Sequence, residues 1–259
     1  MTAEASKGRL YLVPTPLDHG CAEQAAITEV LPLGTLQVAA RLTHWISENA
    51  KSTRAFLKRV DAVQPLAQPL QAQAIAELPR TVHKKGDHDP TGARPDARPL
   101  LAAALQGQDM GLISEAGMPA VADPGSSVVR AAHALGIEVV PLVGPVSILL
   151  TLAASGLNGQ SFAFVGYVPQ EAAARAQRLR ELEAWARKSG QTQLFIETPR
   201  NATLLQALLH ELQATTQLAV CQGLTLPQVR CTSRSVAEWR RAMPAPAALA
   251  LPAVYAIGR

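Results

Sequence analysis

The sequence predicts an α/β protein, and its first half predicts a parallel β-sheet with helices packed around it. Short apolar or β-branched runs alternate along the chain with longer runs of helical periodicity. Strand-like runs at 110–114 and 137–142 are each followed by a loop and a helix, and such crossovers join parallel strands. With 259 residues, 48% hydrophobic and 17% charged, the composition is typical of a globular protein.

The first predicted strand is 9–13, because Pro14 and Pro16 follow it and proline cannot donate to a sheet ladder. We expect Ser52 to cap the helix that carries Phe56 and Val60. Residues 64–98 are rich in Pro, Gln and charge, so most of this region is predicted to be loop. The other elements predicted up to this point are a helical stretch at 23–42, interrupted by Pro32 and Gly34, a short apolar run at 44–47, and one strand candidate at 81–83.

The remainder of the chain continues the alternation and changes character near 144–159, where we place a domain boundary. The predicted domains are therefore 8–145 and 146–259, each of α/β type. The elements predicted from residue 99 are a helix at 99–106, a strand at 110–114, a Gly/Pro-rich loop at 115–125, a helix at 126–135, a strand at 137–142, a helix at 146–155, a strand at 162–165, a helix at 171–188, a strand at 193–197, a helix at 201–212, a strand at 217–221, a helix at 235–241 and a strand near 249–257.

Cysteine usage and hydropathy favour a cytoplasmic protein. Cys21, Cys221 and Cys231 are an odd number without a CxxC pair, which fits a reducing compartment. The first eight residues contain no apolar segment of the kind found in secretory signals. The one long uncharged stretch, 139–157, starts as a β-branched run and contains proline and glycine, which argues against a membrane span.

Positive charge is concentrated in the last part of the chain. The formal net charge is +4, and residues 212–259 contain five arginines and one acidic residue, Glu238, so the remainder is neutral. A basic region fits an anionic substrate or a nucleic acid. Arginines that only solvate helices and loops explain the same count.

Several common enzyme signatures are absent from the sequence. There is no GxG and no GK dipeptide, which excludes the usual dinucleotide fingerprint and the Walker A loop. HExxH, GxSxG and CxxC are absent too. His83, Asp87, His88 and Asp89 lie in so polar a segment that solvated turn residues explain them better than a metal site.

Three unusual loops each follow a predicted strand, at 14–18, 114–119 and 144–147. In a parallel sheet these loops lie along one edge, and ligands of open α/β sheets bind outside the carboxyl ends of the strands. Loops of Gly, Pro and small residues present backbone N–H and C=O groups, so a cofactor held by backbone is one interpretation. Well-formed strand–helix turns are the other.

The same loops carry a family resemblance. The runs Leu112-Ile-Ser-Glu-Ala-Gly-Met-Pro-Ala-Val-Ala-Asp-Pro-Gly125 and Gly136-Ile-Glu-Val-Val-Pro-Leu-Val-Gly-Pro145 resemble the tetrapyrrole (corrin/porphyrin) methylase superfamily of S-adenosylmethionine-dependent enzymes. Val13-Pro-Thr-Pro16 and Phe195-Ile-Glu-Thr-Pro199 are similar to its ribosomal RNA cytidine-2′-O-methyltransferase branch. The likeness extends from about residue 8 to 258.

This resemblance implies an N-terminal parallel sheet, a second α/β domain with a mixed sheet, and a homodimer. It also implies S-adenosylmethionine bound in the cleft between the domains. Carried over by position, the cofactor-binding residues are Pro14, Thr15, Pro16, Ser114, Gly117, Met118, Val121, Ser147, Ile148, Gln222 and Leu224. Independently of the family, Gly117 permits close backbone approach, Ser147 offers a hydroxyl, and Met118 and Val121 suit an adenine face. For Met118 alone, core packing is the favoured role.

The implied chemistry is methyl transfer by direct displacement, which needs alignment of donor and acceptor but no metal. If the acceptor is a hydroxyl, Glu48 and Glu197 are the candidate bases. A glutamate at a strand end is as often a capping or ion-pairing group.

Departures from the branch pattern concern the RNA more than the cofactor. Its Glu-Asp-Thr-Arg run is Glu48-Asn-Ala-Lys51 here, and its Ala-Arg-Glu-Leu-Thr-Lys run is Cys221-Gln-Gly-Leu-Thr-Leu226. Gln222, Gly223 and Leu226 thus replace charged residues. The Lys-Gly-Glu motif that the branch has near its final strand is replaced here by the apolar run 248–252. Two alternatives stay open: a methylase of a tetrapyrrole or other small molecule, and a protein that binds S-adenosylmethionine or RNA without turnover.

Overall fold

The computed structural model describes residues 6–79, 96–196, 204–242 and 251–259. The chain divides into two compact units, Met1–Val146 and Ser147–Arg259. Each unit contains one five-stranded sheet within the described residues, with helices packed on it. The predicted α/β fold is therefore confirmed, and the two units are described in turn.

The sheet of the first unit is parallel throughout, in the order β3-β2-β4-β1-β5. Its elements are β1 (Leu10–Val13), α1 (Ile27–Val30), α2 (Leu33–Arg41), β2 (His44–Ser47), α3 (Ala50–Asp61), a 3₁₀ turn (Leu70–Ala72), β3 (Ala74–Glu77), a 3₁₀ turn (Arg98–Leu101), α4 (Ala102–Leu105), β4 (Met110–Ile113), α5 (Ser126–Ala134) and β5 (Val139–Pro141). The parallel sheet expected from the crossovers is confirmed.

Apolar clusters cover both faces of this sheet, as parallel sheets require. One cluster joins Tyr11 and Val13 to helices α2 and α3, and the other joins Leu10 and Leu112 to α5. At the centre, Gly111 leaves room for the Trp45 ring, because a Cβ at Gly111 would lie 2.5 Å from a Trp45 ring carbon. Trp45 is almost fully buried, and its indole N–H donates to Gln73 Oε1 at 2.9 Å.

The predicted cap of α3 is wrong. Asn49 is the N-cap, and its side-chain oxygen accepts from the backbone N–H groups of Lys51 at 2.9 Å and Ser52 at 3.4 Å. The helix starts earlier than expected, so Ser52 lies inside its first turn and its hydroxyl donates to the Asn49 carbonyl at 2.9 Å. Asn49 satisfies N–H groups that have no partner inside the helix.

The largely unstructured region predicted at 64–98 contains an additional strand, β3. Its sequence, AIAE, has only one β-branched residue, and the strand is mostly exposed. It is held at the sheet edge by parallel pairing with β2, from His44 opposite Ala74 to Ser47 opposite Glu77. Backbone pairing, not side-chain character, defines this strand.

The sheet of the second unit is mixed, as expected, in the order β6-β7-β10-β8-β9. Only β6 and β7 pair in parallel, and the other neighbours are antiparallel. The elements are α6 (Ser147–Ser155), β6 (Phe162–Tyr167), α7 (Ala172–Ser189), β7 (Thr192–Ile196), α8 (Leu204–Glu211), β8 (Gln217–Gln222), β9 (Arg230–Ser235), α9 (Val236–Arg241) and β10 (Ala253–Gly258).

Strand β8 has helices packed on both of its faces. Its Leu218 and Val220 belong to an apolar cluster with residues of α7, α8 and α9. Successive side chains alternate between faces, so Ala219 and Cys221 point to the opposite face. Helix α6 also packs on β8, β9 and β10. Strand β9, with the polar sequence RCTSRS, was not predicted, and it pairs only with β8.

Among the described residues, no helix has the length and apolar character to cross a membrane. Three sequence predictions fall outside the described residues: the strand candidate at 81–83, the His83–Asp89 cluster and the candidate base Glu197.

Candidate functional site

The unusual loops of the first unit come together at the carboxyl edge of the parallel sheet. Strands β2, β4, β1 and β5 are neighbours in that order, so the residues that follow them lie side by side. These are Glu48 after β2, Ser114 after β4, Pro14 after β1 and Gly144 nearby after β5. The Glu48 N–H donates to the Ile113 carbonyl at 3.3 Å, which ties the first two loops together.

Two of the predicted cofactor residues, Thr15 and Gly117, pair through their backbones. The Thr15 N–H donates to the Gly117 carbonyl at 3.0 Å, and the Gly117 N–H donates to the Thr15 carbonyl at 3.1 Å. Gly117 has φ +80°, which disfavours every residue with a side chain. A Cβ there would also lie 2.8 Å from a methyl carbon of Leu17. Glycine is thus required at this bridge between the two loops.

A buried hydroxyl at this bridge has no hydrogen-bond partner among the described residues. Thr15 is 4% exposed, and its Oγ1 makes no hydrogen bond with the described residues. The neighbouring Ser114 is also buried, and its hydroxyl donates to the Gly117 carbonyl at 3.4 Å. Buried polar groups are nearly always satisfied, so an unsatisfied one indicates a bound group or water.

The loop that begins with Thr15 is held in place from both ends. Pro14, Thr15 and Pro16 are all buried. A Cβ at Gly144 would lie 2.2 Å from the Pro14 ring, so only glycine permits this approach of the β5 loop. Asp18, 8% exposed, accepts from the Arg59 guanidinium at 2.6 Å, which fastens the loop to α3.

The segment between Gly117 and α5 has an unusual backbone. Ala120 and Ala122 have φ of +64° and +62°, a left-handed conformation that is unfavourable for alanine. Val121, between them, is 42% exposed, whereas Met118 is half-buried. Backbone strain of this kind concentrates at functional sites. Of the two residues expected to contact an adenine, Val121 is the more accessible.

Three carboxyl groups lie at the same edge, those of Glu48, Glu115 and Asp123, and only Glu48 was a candidate from the sequence. Glu48 Oε2 accepts from the Glu115 N–H at 3.3 Å. Burial, together with the negative charges of Glu48 and Glu115, raises the pKa of Asp123 to about 7, although a hydrogen bond from Ser114 opposes this rise. A carboxyl that titrates near neutral pH suits proton transfer. Its Asp-Pro-Gly context did not reveal burial, so no sequence signal singled out Asp123.

The predicted residues of the second unit lie on helix α6 and on the turn that follows β8. Ser147 opens α6, and Ile148 beside it is 5% exposed. Gln222 ends β8, is 6% exposed, and has an amide nitrogen without a partner among the described residues. Leu224 is 9% exposed in a turn where Gly223 and Thr225 both have positive φ. Gln222 thus supplies a second unsatisfied buried group.

The chain matches the model of one known protein family. The model of the family Tetrapyrrole (Corrin/Porphyrin) Methylases matches residues 50–238, well over half of the chain. The chain belongs to the tetrapyrrole methylase family.

Curated relatives of this tetrapyrrole methylase include two proteins named ribosomal RNA small subunit methyltransferase I. That of Escherichia coli O157:H7 is 31% identical over 76% of this chain and 58% of its own length. That of Pseudomonas aeruginosa is 42% identical over 78% of this chain and 60% of its own length. The matched region therefore spans less than two thirds of either relative.

Solved structures show the tetrapyrrole methylase fold at much lower identity. The methyltransferase CobJ is 15% identical, with a TM-score of 0.54 over 97% of this chain and 94% of its own. The uroporphyrin-III C-methyltransferase of Thermus thermophilus, in complex with S-adenosyl homocysteine, is 18% identical, with a TM-score of 0.52 over 97% and 92%. These similarities support the fold only.

In the part of the chain that the structure describes, no group of three or more His, Cys, Asp or Glu side chains could hold a metal ion.

Proposed function

We propose that this chain is an S-adenosylmethionine-dependent methyltransferase whose acceptor is a ribose hydroxyl of small-subunit ribosomal RNA. The observation that carries the proposal is the similarity to the two ribosomal RNA methyltransferases, at 31% and 42% identity over about three quarters of the chain. Family membership adds the reaction class, since the family is one of methylases.

The residues at the carboxyl edge of the first sheet fit S-adenosylmethionine. The Thr15 hydroxyl is buried and unsatisfied, so it is available to an adenosyl or amino acid group. Gly117 keeps the β4 loop free of a side chain at the bridge, and Val121 offers exposed apolar surface. Pro14, Pro16, Ser114 and Met118 complete this part of the proposed site. When bound, the cofactor supplies an activated methyl group on sulfonium sulfur.

Gln222, Leu224, Ser147 and Ile148 are the proposed contacts of the second unit. Gln222 supports this role best, because its buried amide nitrogen has no partner among the described residues. A carboxylate or a nucleoside oxygen would satisfy that donor.

Proton removal from the acceptor falls, in this proposal, to the carboxyl cluster. When bound, the cofactor would supply the methyl group and would leave as S-adenosylhomocysteine with the electron pair of the broken sulfur–carbon bond. The carboxyl cluster would accept the proton that the acceptor hydroxyl releases. Asp123 has the best-suited affinity for a proton, because its pKa is raised to about 7. Glu48 stays a candidate too, and its carboxylate also holds the Glu115 N–H. Glu197, outside the described residues, remains the third candidate.

A different acceptor is the second candidate function. The branch resemblance implies charged residues at 222, 223 and 226, and here position 226 is a leucine that is only 3% exposed. A tetrapyrrole or another small molecule would suit this apolar turn better than RNA phosphates. A chain that binds the cofactor without turnover is the remaining alternative.

We further propose that the protein acts as a cytoplasmic homodimer. The three cysteines are an odd number without a CxxC pair, which fits a reducing compartment. The dimer follows from the family resemblance alone. Sedimentation of the purified full chain tests it directly.

Calorimetric titration with S-adenosylmethionine and S-adenosylhomocysteine tests the cofactor. We expect micromolar binding, and we expect Gly117→Ala to weaken it at least tenfold, because the new methyl group crowds the bridge. Gly136→Ala is the matched control, since Gly136 also has positive φ but a Cβ there would meet only Lys7 Nζ at 3.5 Å. Absence of heat with either ligand would contradict the proposal, as would equal effects of the two variants.

Transfer of tritiated methyl groups tests the acceptor. Purified small ribosomal subunits and naked small-subunit ribosomal RNA are offered separately, with a tetrapyrrole as the third acceptor. Labelled ribose in an RNA digest would support the RNA proposal. Label on the tetrapyrrole alone would establish the second candidate, and cofactor binding without label on any acceptor would favour the non-catalytic alternative.

A further inference from the structure

Two of the three cysteines lie directly opposite each other in the second unit. Cys221 of β8 and Cys231 of β9 are partners in the antiparallel register, between the pairs Val220–Thr232 and Gln222–Arg230. Residues directly opposite in such a ladder have Cα atoms about 4.5–5.5 Å apart, and their side chains share one face. A disulfide spans Cα separations of about 4.4–6.8 Å. The register alone therefore places the two sulfur atoms where a bond can form.

The two thiols differ in their access to solvent. Cys221 is fully buried, on the face of the sheet that helix α6 covers, whereas Cys231 is exposed on the edge strand. Burial and the adjacent Cys231 thiol together raise the pKa of Cys221 to about 12. The thiolate is the reactive form, so Cys221 is inert toward a reagent in solution. Any reaction with a dissolved oxidant starts at Cys231.

We propose that Cys221 and Cys231 are a site of reversible disulfide formation, reached by exchange with a small-molecule disulfide such as glutathione disulfide. The Cys231 sulfur attacks one sulfur of glutathione disulfide, the S–S bond breaks, and one glutathione leaves as a thiol with the proton of Cys231. The Cys221 sulfur then attacks the Cys231 sulfur, and the second glutathione leaves with the proton of Cys221. Two cysteine thiols are oxidised to one disulfide, and glutathione disulfide is reduced to two glutathione molecules.

The first exchange removes one of the two causes of the raised Cys221 pKa, and burial, the larger cause, remains. Once Cys231 is in a mixed disulfide, it carries no ionisable proton and no negative charge. The contribution of its thiol to the raised pKa of Cys221 is thereby lost. The buried sulfur also has its target already within reach, so it competes only with release of the adduct.

Both cysteines flank the turn that contains Gln222 and Leu224. A bond at Cys221–Cys231 closes this turn from Gln222 to Arg230 into a small ring. Exposed disulfides are the more easily reduced ones, and Cys231 lies exposed on the edge strand. The bond is therefore suited to reversible use in a reducing compartment. This inference does not depend on the proposed methyltransferase activity.

Thiol counting on the wild-type chain tests the proposal without any variant. The native protein is incubated with millimolar glutathione disulfide, quenched in acid, denatured and alkylated, and its mass is measured. The chain has three cysteines, so we expect three alkylated thiols before treatment and one afterwards, Cys21. Peptide mapping should show residues Cys221 and Cys231 linked, and dithiothreitol should restore all three thiols.

Two cysteine variants separate the steps. In C221S, glutathione should accumulate on Cys231 because the resolving sulfur is gone. In C231S, Cys221 should stay unmodified because it is buried. Retention of three alkylatable thiols in the wild type would overturn the proposal. A persistent glutathione adduct on wild-type Cys231, or a bond that involves Cys21, would overturn it as well.

Discussion

Thr15 is the residue at which stability and proposed function make opposite demands. Its hydroxyl is buried without a partner, and an unsatisfied buried hydroxyl costs about 1–3 kcal/mol. Valine has the same shape and is equally suited to the position between two prolines. We expect Thr15→Val to raise the free energy of unfolding by about 1 kcal/mol in urea titrations. If the hydroxyl contacts the cofactor, the same variant should weaken S-adenosylmethionine binding in calorimetry about tenfold.

Thr35→Val is the matched control for that experiment. Thr35 is equally buried, at 3% exposure, but its hydroxyl donates to the Val143 carbonyl at 2.7 Å. This variant should therefore lose about 1 kcal/mol of stability. A stability loss for Thr15→Val comparable to that of Thr35→Val would show that Thr15 has a protein or water partner after all.

Asp123 predicts a dependence of stability on pH. Its pKa in the folded chain is raised to about 7 by burial and by the charges of Glu48 and Glu115, so the folded state holds a proton that the unfolded state releases. Between about pH 4 and pH 7 the folded state binds more protons, and its stability therefore falls as pH rises. The loss has an upper bound of about 4 kcal/mol, and solvent screening reduces it because Asp123 is only half-buried.

We expect Asp123→Asn to be more stabilising, relative to the wild type, at pH 8 than at pH 5. Denaturant titrations at both values measure the difference. Asp96→Asn is the control, because Asp96 is exposed and its ion pair with Arg98 lowers its pKa, so Asp96 is ionised at both pH values and this variant should have the same effect at pH 5 and at pH 8. A pH-independent difference for Asp123→Asn would contradict the raised pKa. If Asp123 also accepts the substrate proton, Asp123→Asn should remove the turnover limb near pH 7, whereas Glu48→Gln should shift that limb to lower pH, because the charge of Glu48 helps to raise the pKa of Asp123.

Helix α3 shows at the element scale what a capping pattern alone cannot decide. Asn49 and Ser52 are both good N-cap residues, and the sequence favoured the second because the apolar face follows it closely. The structure starts the helix at Ala50, where the Asn49 oxygen accepts two backbone N–H groups. Asn49→Ala should therefore lower the stability by about 1 kcal/mol in urea titrations. Ser52→Ala should lower the stability by less than half as much. A larger loss for Ser52→Ala than for Asn49→Ala would show that Ser52 is the N-cap.

The two strands that sequence reasoning missed, β3 and β9, are both edge strands. An edge strand pairs on one side only and buries few side chains, so neither AIAE nor RCTSRS shows the apolar alternation by which strands are recognised. Central strands such as β4, with every residue buried, were found correctly. Hydrophobic periodicity in the sequence indicates which side chains are buried. It does not reveal a strand that is defined only by backbone hydrogen bonds.

Over the whole molecule, the fold and part of the candidate site followed from the order of elements. Parallel crossovers imply that the loops after β1, β4 and β5 share one edge, and the structure places them there. The order of elements along the chain could not reveal which residues far apart in sequence are in contact. The bridge from Thr15 to Gly117 and the clustering of Glu48, Glu115 and Asp123 depend on how strands β2, β4 and β1 are arranged. Asp123 could be recognised as a candidate only from its burial in the structure.

The basic C-terminal region gives the last prediction, which rests on the proposed RNA substrate. Of its five arginines, Arg240 donates to the carbonyls of Leu209 and Leu212, and Arg259 donates to that of Arg187. These two stabilise the second unit. Arg230 and Arg234 are exposed and lie on the same face of edge strand β9, because they are four residues apart, and the Arg234 guanidinium also lies over the Trp239 ring at 5.8 Å. They are the better candidates to contact phosphates.

Single-stranded RNA binding should weaken with salt, with a slope in log–log form of about 0.7 per neutralised phosphate. The double variant Arg230→Gln/Arg234→Gln should weaken binding of small-subunit ribosomal RNA and reduce that slope by about 1 to 1.5, as measured by filter binding across a salt series. Arg175→Gln/Arg178→Gln, on helix α7 where Arg178 pairs with Glu181, removes the same charge and should leave the slope unchanged. Equal salt-dependence slopes for the two double variants would mean that the arginines attract RNA only through the overall positive charge and not through contacts with particular phosphates. An unchanged affinity in both would argue for an acceptor other than RNA.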